Sequence, residues 1–161
     1  MTLFDRPAHD SGDAGPHAAA RLEAVVVSFD GGSRGNPGPA AIGAVVADPS
    51  IDPPRVVATV SETIGDTTNN VAEYRAAIAG LEAARAAGAA NVVLRGDSKL
   101  VIEQLAGRWK VKQAHLRPLH AAARSLLDGF AGHELEHVRR ERNTDADALV
   151  NAALDLAETN R

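Results

Sequence analysis

The sequence predicts an α/β domain built on a five-stranded mixed sheet, three strands antiparallel and two parallel, with helices on both faces. Three observations predict it. Consecutive β-rich runs in the first third of the chain are joined by turn-forming links, as in an antiparallel meander. From Asn70 onward the apolar spacing changes to that of helices. Two later strand-like runs are each reached through a helical segment, as parallel crossovers require.

The elements follow in order. Residues 1–22 contain Pro7, Gly12, Gly15 and Pro16 with scattered His and Asp, show no periodicity, and read as a mobile N-terminal tail. The domain is expected over residues 23–158, with 159–161 as a short C-terminal end. Strands are predicted over roughly Ala24–Asp30, Ala41–Asp48 and Val56–Thr63, and the Pro-rich Asp48–Pro54 segment is a turn. Asn70 to Ala87 reads as a helix, with Val71, Tyr74, Ile78 and Leu81 at helical spacing and Gly88 as its stop. Asn91–Gly96 is a short buried strand and Ser98–Ala106 a helix closed by Gly107. A further helix spans about Ala114–Asp128, with Pro118 in its first turn or at a break. His133–Val138 is the fifth strand, and Thr144–Glu158 the final amphipathic helix.

A chain of 161 residues with 45% apolar composition suits one folded domain, expected here as a monomer. No apolar run is long enough to cross a bilayer, so no membrane partner is expected. The start lacks a basic region followed by an apolar stretch, so no secretory signal is read. With no cysteine there are no disulfides, thiolate nucleophiles or cysteine-ligated metals, and a cytoplasmic protein is the simplest expectation. The net charge of −4 opposes a generally basic surface. Its distribution is uneven, however: Arg108, Lys110, Lys112 and Arg117 form one basic cluster, and Arg139, Arg140 and Arg142 another.

Two apolar runs end in an acid, Val25–Asp30 and Val92–Asp97. As parallel neighbours their backbones would lie about 4.8 Å apart, placing both carboxyls at the carboxyl edge of the sheet, where open α/β sheets bind ligands. Like charges so close require a proton or a cation between them. The plain alternative is that each aspartate caps the turn or helix that follows. Glu73 lies one turn into its helix, on the face of Ala77, Gly80 and Ala84, where small residues permit close approach to the sheet. Taken alone it reads better as an acid favoured near a helix N-terminus. Asp147 stands at the third position of a helix for which Thr144 is a good N-cap, and spacing does not choose between it and Asp145. Four hard oxygen donors without a Cys or His set favour Mg²⁺ or Mn²⁺ over Zn²⁺. A pair of such ions can activate water and stabilise the leaving oxygen in phosphodiester cleavage.

Together, Asp30-Gly-Gly-Ser-Arg-Gly-Asn-Pro-Gly-Pro39, Thr67-Thr-Asn-Asn-Val-Ala-Glu73, Gly96-Asp-Ser98 and the helix carrying Asp147 resemble the motifs of the type 1 ribonuclease H family, in that family's order and over about residues 24–157. The resemblance implies that Asp30, Glu73, Asp97 and Asp147 are the catalytic carboxylates that hold two metal ions, and it selects Asp147 over Asp145. It also implies cleavage of the RNA strand of RNA–DNA hybrids, leaving 5′-phosphate and 3′-hydroxyl ends. Asn36, Asn69 and Asn70 fall at the family's substrate-contact positions and Thr68 at a DNA-phosphate position. Each asparagine also has a local reading, Asn36 in a turn before Pro37 and Asn69 or Asn70 as an N-cap.

Two departures stand out. Where many members carry a long basic protrusion, this chain has the short connection Gly107–Lys112, similar to the compact bacterial and archaeal-like branch. There Trp109 can stack on a sugar, with Arg108 and Lys110 beside it to pair with phosphate, or it can anchor the loop to the core. The second departure is the histidine loop of many members. Val138-Arg-Arg-Glu-Arg-Asn-Thr144 has no histidine, His137 falls in the strand and is read as structural, and Arg142 or Glu141 is the expected group near the scissile phosphate.

Overall fold

A computed structural model describes residues 22–160; residues 1–21, most of the expected tail, and Arg161 lie outside the described residues. The strands are β1 (Ala24–Ser33), β2 (Gly38–Asp48), β3 (Arg55–Thr67), β4 (Asn91–Gly96) and β5 (Gly132–His137). The helices are α1 (Asn69–Ala86), α2 (Lys99–Leu105), α3 (Arg117–Asp128) and α4 (Thr144–Thr159). The sheet order is β3-β2-β1-β4-β5, with β1–β2 and β2–β3 antiparallel and β1–β4 and β4–β5 parallel. This is the mixed sheet expected from the sequence. Leu22 already belongs to the fold, because its carbonyl accepts the Ala90 amide at 3.0 Å.

The strands at the centre of the sheet read as apolar runs because both faces are covered. On one face Val25, Val27, Phe29, Val92 and Leu94 meet Tyr74, Leu81, Ile102, Leu116 and Leu127 in the main core. On the other, Ala41 packs with Val150, Ala153 and Leu154 of α4. The small face of α1 is used as its spacing suggests. A Cβ on Gly80 would lie 2.5 Å from Val27 Cγ1, so only glycine lets α1 rest this low on β1. Likewise Phe29 fills the space above Gly96, where a Cβ would come within 2.5 Å of the ring.

Strand β3 runs beyond its predicted end at Thr63 to Thr67. Gly65 and Asp66 carry a turn signature, yet a register irregularity at Ala40/Ala41 and the positive φ of 80° at Gly65 let the strand continue past them. The predicted helix from Ala114 divides into a 3-10 turn, Ala114–Leu116, followed by α3, with Pro118 in the first turn of α3 where its missing N–H costs nothing.

One buried polar relay ties the helices together. Tyr74 Oη on α1 donates to Gln104 Oε1 on α2, Gln104 Nε2 donates to the Lys110 carbonyl at 3.1 Å, and His120 Nε2 on α3 lies 3.0 Å from the Gln104 carbonyl. Burial pushes the Tyr74 phenol up to about 12, so it stays a donor. Tyr74→Phe should therefore cost about 1–3 kcal/mol by leaving a buried amide oxygen unpaired, read as a lower urea midpoint at constant slope.

Candidate active site

The last registered pair of β1 and β4 is Phe29 with Gly96, so Asp30 and Asp97 each follow at the same level of the sheet edge. Two glycines then bring helices to them. A Cβ on Gly31 would run into the Ala72 carbonyl and lie 2.6 Å from Glu73 N, so the first turn of α1 sits directly on the backbone after Asp30. A Cβ on Gly43, the β2 partner of Asp30, would run into the Ala146 carbonyl and lie 3.0 Å from Leu149 Cβ. The first contact delivers Glu73, the second Asp147.

One oxygen each from Asp30, Glu73 and Asp97 lie within 4.8 Å of one another. Asp30 is 7% exposed, and burial, then the charges of Asp97 and Asp147, push its carboxyl up to about 7. Glu73 is also driven well above the usual range, chiefly by burial and then by Asp30 and Asp97. Its Oε2 is fully buried and has no hydrogen-bond partner. A buried carboxylate oxygen left unpaired, on a side chain that meets two other carboxylates, is what a bound cation would satisfy, and the all-oxygen donor set suits Mg²⁺ or Mn²⁺. Asp147 completes the rim of an open cleft of about 420 Å³ lined also by Ser33, Arg34, Asn69, Asn70 and Arg140. It accepts from Asn151 Nδ2 at 3.3 Å, while Asp145 is exposed outside the cleft lining.

The capping alternatives resolve in favour of free acids. Ser98, not Asp97, caps α2, accepting from Val101 N at 3.3 Å. Thr68, not Asn69 or Asn70, caps α1 through its Oγ1. Thr144 is the first residue of α4 and not its cap. The residue before it, Asn143, stands at the N-cap without a side-chain cap bond: its Oδ1 is buried and unpartnered, while Nδ2 donates to the Phe29 carbonyl at 2.8 Å, just ahead of Asp30. This link between the end of β1 and the start of α4 has no local sequence signal. Asn143→Ala should cost about 1–3 kcal/mol in chemical denaturation through the orphaned carbonyl. In the same variant turnover should fall by up to about 10²-fold as Asp30 and Asp147 lose their shared anchor.

Among the expected substrate groups, Asn36 and Asn69 are brought together. Asn69 N donates to Asn36 Oδ1 at 3.1 Å, and Asn69 Oδ1 accepts from Ser33 N at 2.9 Å and Ser33 Oγ at 3.0 Å. Both side-chain oxygens are engaged, so the exposed amide nitrogens are the groups presented outward. Asn70 lines the cleft. Trp109 and Lys110 stand apart, lining a second cleft of about 510 Å³ with Leu100, Gln104, Lys112 and Leu116. Trp109 is 43% exposed with Lys99 Nζ 5.9 Å from its ring, an open platform and not a core anchor. Arg108 turns back to Glu103, with Nε 2.6 Å from Oε2.

The histidine-free loop holds a difference from expectation. Arg142 and Glu141 are exposed and do not line the cleft, whereas Arg140 does, its Nη2 4.0 Å from Asp147 Oδ1. Arg140 opens the 3-10 turn Arg140–Arg142 and stays largely exposed at the rim, and three arginines in four residues offer no periodicity from which to choose. His137, at the end of β5, is exposed with Nε2 3.3 Å from the Asp97 carbonyl.

The sequence matches the Reverse transcriptase-like family over residues 28–153. The bifunctional protein Rv2228c of Mycobacterium tuberculosis is 51% identical over 133 residues, which make up 83% of this chain and 36% of that protein. The chain thus spans little more than a third of that relative's length. Ribonuclease HI of Halobacterium salinarum is 50% identical over 142 residues, 88% of this chain and 68% of that protein. The crystal structure of LC11-RNase H1 in complex with an RNA/DNA hybrid superposes with a TM-score of 0.76 at 38% identity, covering 83% of this chain and 98% of that one. Sheet order, strand-end acids and these similarities agree, and the chain belongs to the type 1 ribonuclease H family.

Proposed function

We propose that this chain is an endonuclease that hydrolyses the RNA strand of RNA–DNA hybrids and leaves 5′-phosphate and 3′-hydroxyl ends. The observation that carries the reading is the cleft itself, where three converging carboxylates, one with an orphaned buried oxygen, share a wall with Asn69 and Asn70, and Asn69 N in turn holds the exposed Asn36. Asp30, Glu73 and Asp97, with Asp147 at the rim, would hold two Mg²⁺ or Mn²⁺ ions. Bound there, such ions supply an activated water and charge neutralisation at the scissile phosphate.

The protein's own groups do the rest. Asn36, Asn69 and Asn70 offer amides to sugars and base edges of one strand, and a hybrid differs from duplex DNA by its groove shape and 2′-hydroxyls. Trp109 supplies an exposed ring for stacking, and Lys110 an ammonium for the backbone. Thr68 is committed through Oγ1 to its cap, so it would meet phosphate from the helix N-terminus that it closes. Arg140, in place of Arg142, is the guanidinium at the cleft rim near Asp147. All four carboxylates come from one chain, so a monomer suffices.

The test is cleavage of labelled RNA–DNA hybrid beside duplex RNA, single strands and duplex DNA, with Mg²⁺ or Mn²⁺ and with chelator. Hybrid cleavage that chelator abolishes is expected. Binding without cleavage would make the chain a silent hybrid-binding module, and equal cleavage of duplex DNA would sink the hybrid-specific reading.

A further inference from the structure

The hairpin turn between β1 and β2 carries Asn36 at an exposed tip, with Gly35, Asn36 and Pro37 all in solvent. Arg34 N closes the turn onto the Pro39 carbonyl at 2.8 Å, and the Asn36–Asn69 bond ties it to the start of α1. The third tether goes the other way. The Arg34 guanidinium forks across two acids of α4, with Nη2 2.7 Å from Asp155 Oδ1 and Nη1 2.6 Å from Glu158 Oε1. Asp155 lies two turns along the helix that begins with the segment carrying Asp147. The turn is therefore strapped to both helices that bring acids to the cleft.

We propose that Arg34 is a positioning residue for substrate binding, fixing the Asn36 turn relative to the α4 acid Asp147 through its paired contacts with Asp155 and Glu158. The inference rests on the hybrid-binding role proposed for Asn36. Arg34 lines the cleft, so a direct phosphate contact is the rival role. Charge and geometry oppose it. Both terminal nitrogens already face carboxylates, and two negative charges outweigh the one positive charge, so the trio attracts no anion. Exposed ion pairs contribute little to global stability, so the effect belongs in substrate binding and not in folding.

The experiment measures kcat, KM and thermal midpoint on labelled RNA–DNA hybrid for wild type, Arg34→Ala, Arg34→Lys, the Asp155→Asn/Glu158→Gln pair, and the combined triple variant. Arg34→Ala should raise KM about tenfold with kcat changed less than about twofold, the signature of lost binding without lost chemistry. Arg34→Lys should recover part of that loss. The acid pair should raise KM to a similar extent, and the triple variant should be no worse than Arg34→Ala, because all remove one strap. A lower KM in the acid pair would overturn the proposal and make Arg34 a phosphate contact that the acids restrain. Unchanged KM in Arg34→Ala, or joint loss of kcat and thermal midpoint, would also overturn it. If wild-type protein neither binds nor cleaves hybrid, the underlying reading falls first and the inference falls with it.

Discussion

Asp30→Asn is expected to lose at least about a thousand-fold in turnover, the scale of several kcal/mol of lost transition-state stabilisation, while making the metal-free protein more heat-stable at pH 8. The two effects share one cause. Asp30 is buried beside Asp97 and Glu73, and its carboxyl is pushed from an ordinary 3.8 up to about 7. Between those values the folded protein holds a proton that the unfolded chain has released. Stability therefore falls as pH rises through that window, and at pH 8 the whole penalty is present. Glu73 shifts in the same direction and adds to it. An amide at position 30 keeps the shape and removes one of the crowded charges. Hybrid binding should persist, because Asn36, Asn69 and Trp109 are untouched. Thermal midpoints in chelator at pH 5 and pH 8, alongside single-turnover cleavage, check both halves. A variant that melts no higher than wild type at pH 8 would show that the carboxylates do not strain the fold. Mg²⁺ should in turn raise the wild-type midpoint more at pH 8 than at pH 5, since protons compete for the same oxygens.

Gly31→Ala should damage stability and turnover together. The added carbon would overlap the Ala72 carbonyl and crowd Glu73 N, and both are backbone atoms in the first turn of α1 that no rotamer change can clear. Overpacking usually costs about 1–3 kcal/mol, and a clash with three backbone atoms belongs at or above the upper end of that range. Displacing the turn would also carry Glu73 away from Asp30 and Asp97, and a shift of about 1 Å at a catalytic group can cost 10²-fold in rate. Urea denaturation and cleavage rate should fall together. Gly32→Ala provides the control, since its Cβ would meet only Val150 Cγ1 at 3.8 Å.

The sequence makes the sheet and three of its four acids readable because local and long-range demands coincide there. Strand runs that stop at Asp30 and Asp97 need only parallel pairing to bring the acids level, and the small face of α1 allows Glu73 to approach them, although its position near a helix N-terminus has a plain reading of its own. Asp147 is harder: Thr144 has the chemistry of a cap, but the chain enters α4 through Asn143, whose amide is claimed by β1 across 114 residues. The same distance in sequence hides Arg34, which finds its acids 121 and 124 residues away. Arg140 lines the cleft and Arg142 does not, although both sit exposed in a single 3-10 turn, a difference that composition does not encode. Glycines are visible in sequence, but the carbonyls that press on Gly31 and Gly43 are not.

The packing of Phe29 over Gly96 has a further consequence for the acids that follow them. Because side chains alternate along a strand, sliding β4 by one residue against β1 would send Asp97 to the opposite face of the sheet. Valines alone do not forbid that slip, since Val92 and Val93 are alike in shape. The ring of Phe29 does, because it fits over a residue without a Cβ and over neither Arg95 nor Asp97. The aromatic–glycine pair thus works as a ruler inside the core, and the spacing of the Asp30 and Asp97 carboxyls at the sheet edge is measured one residue earlier.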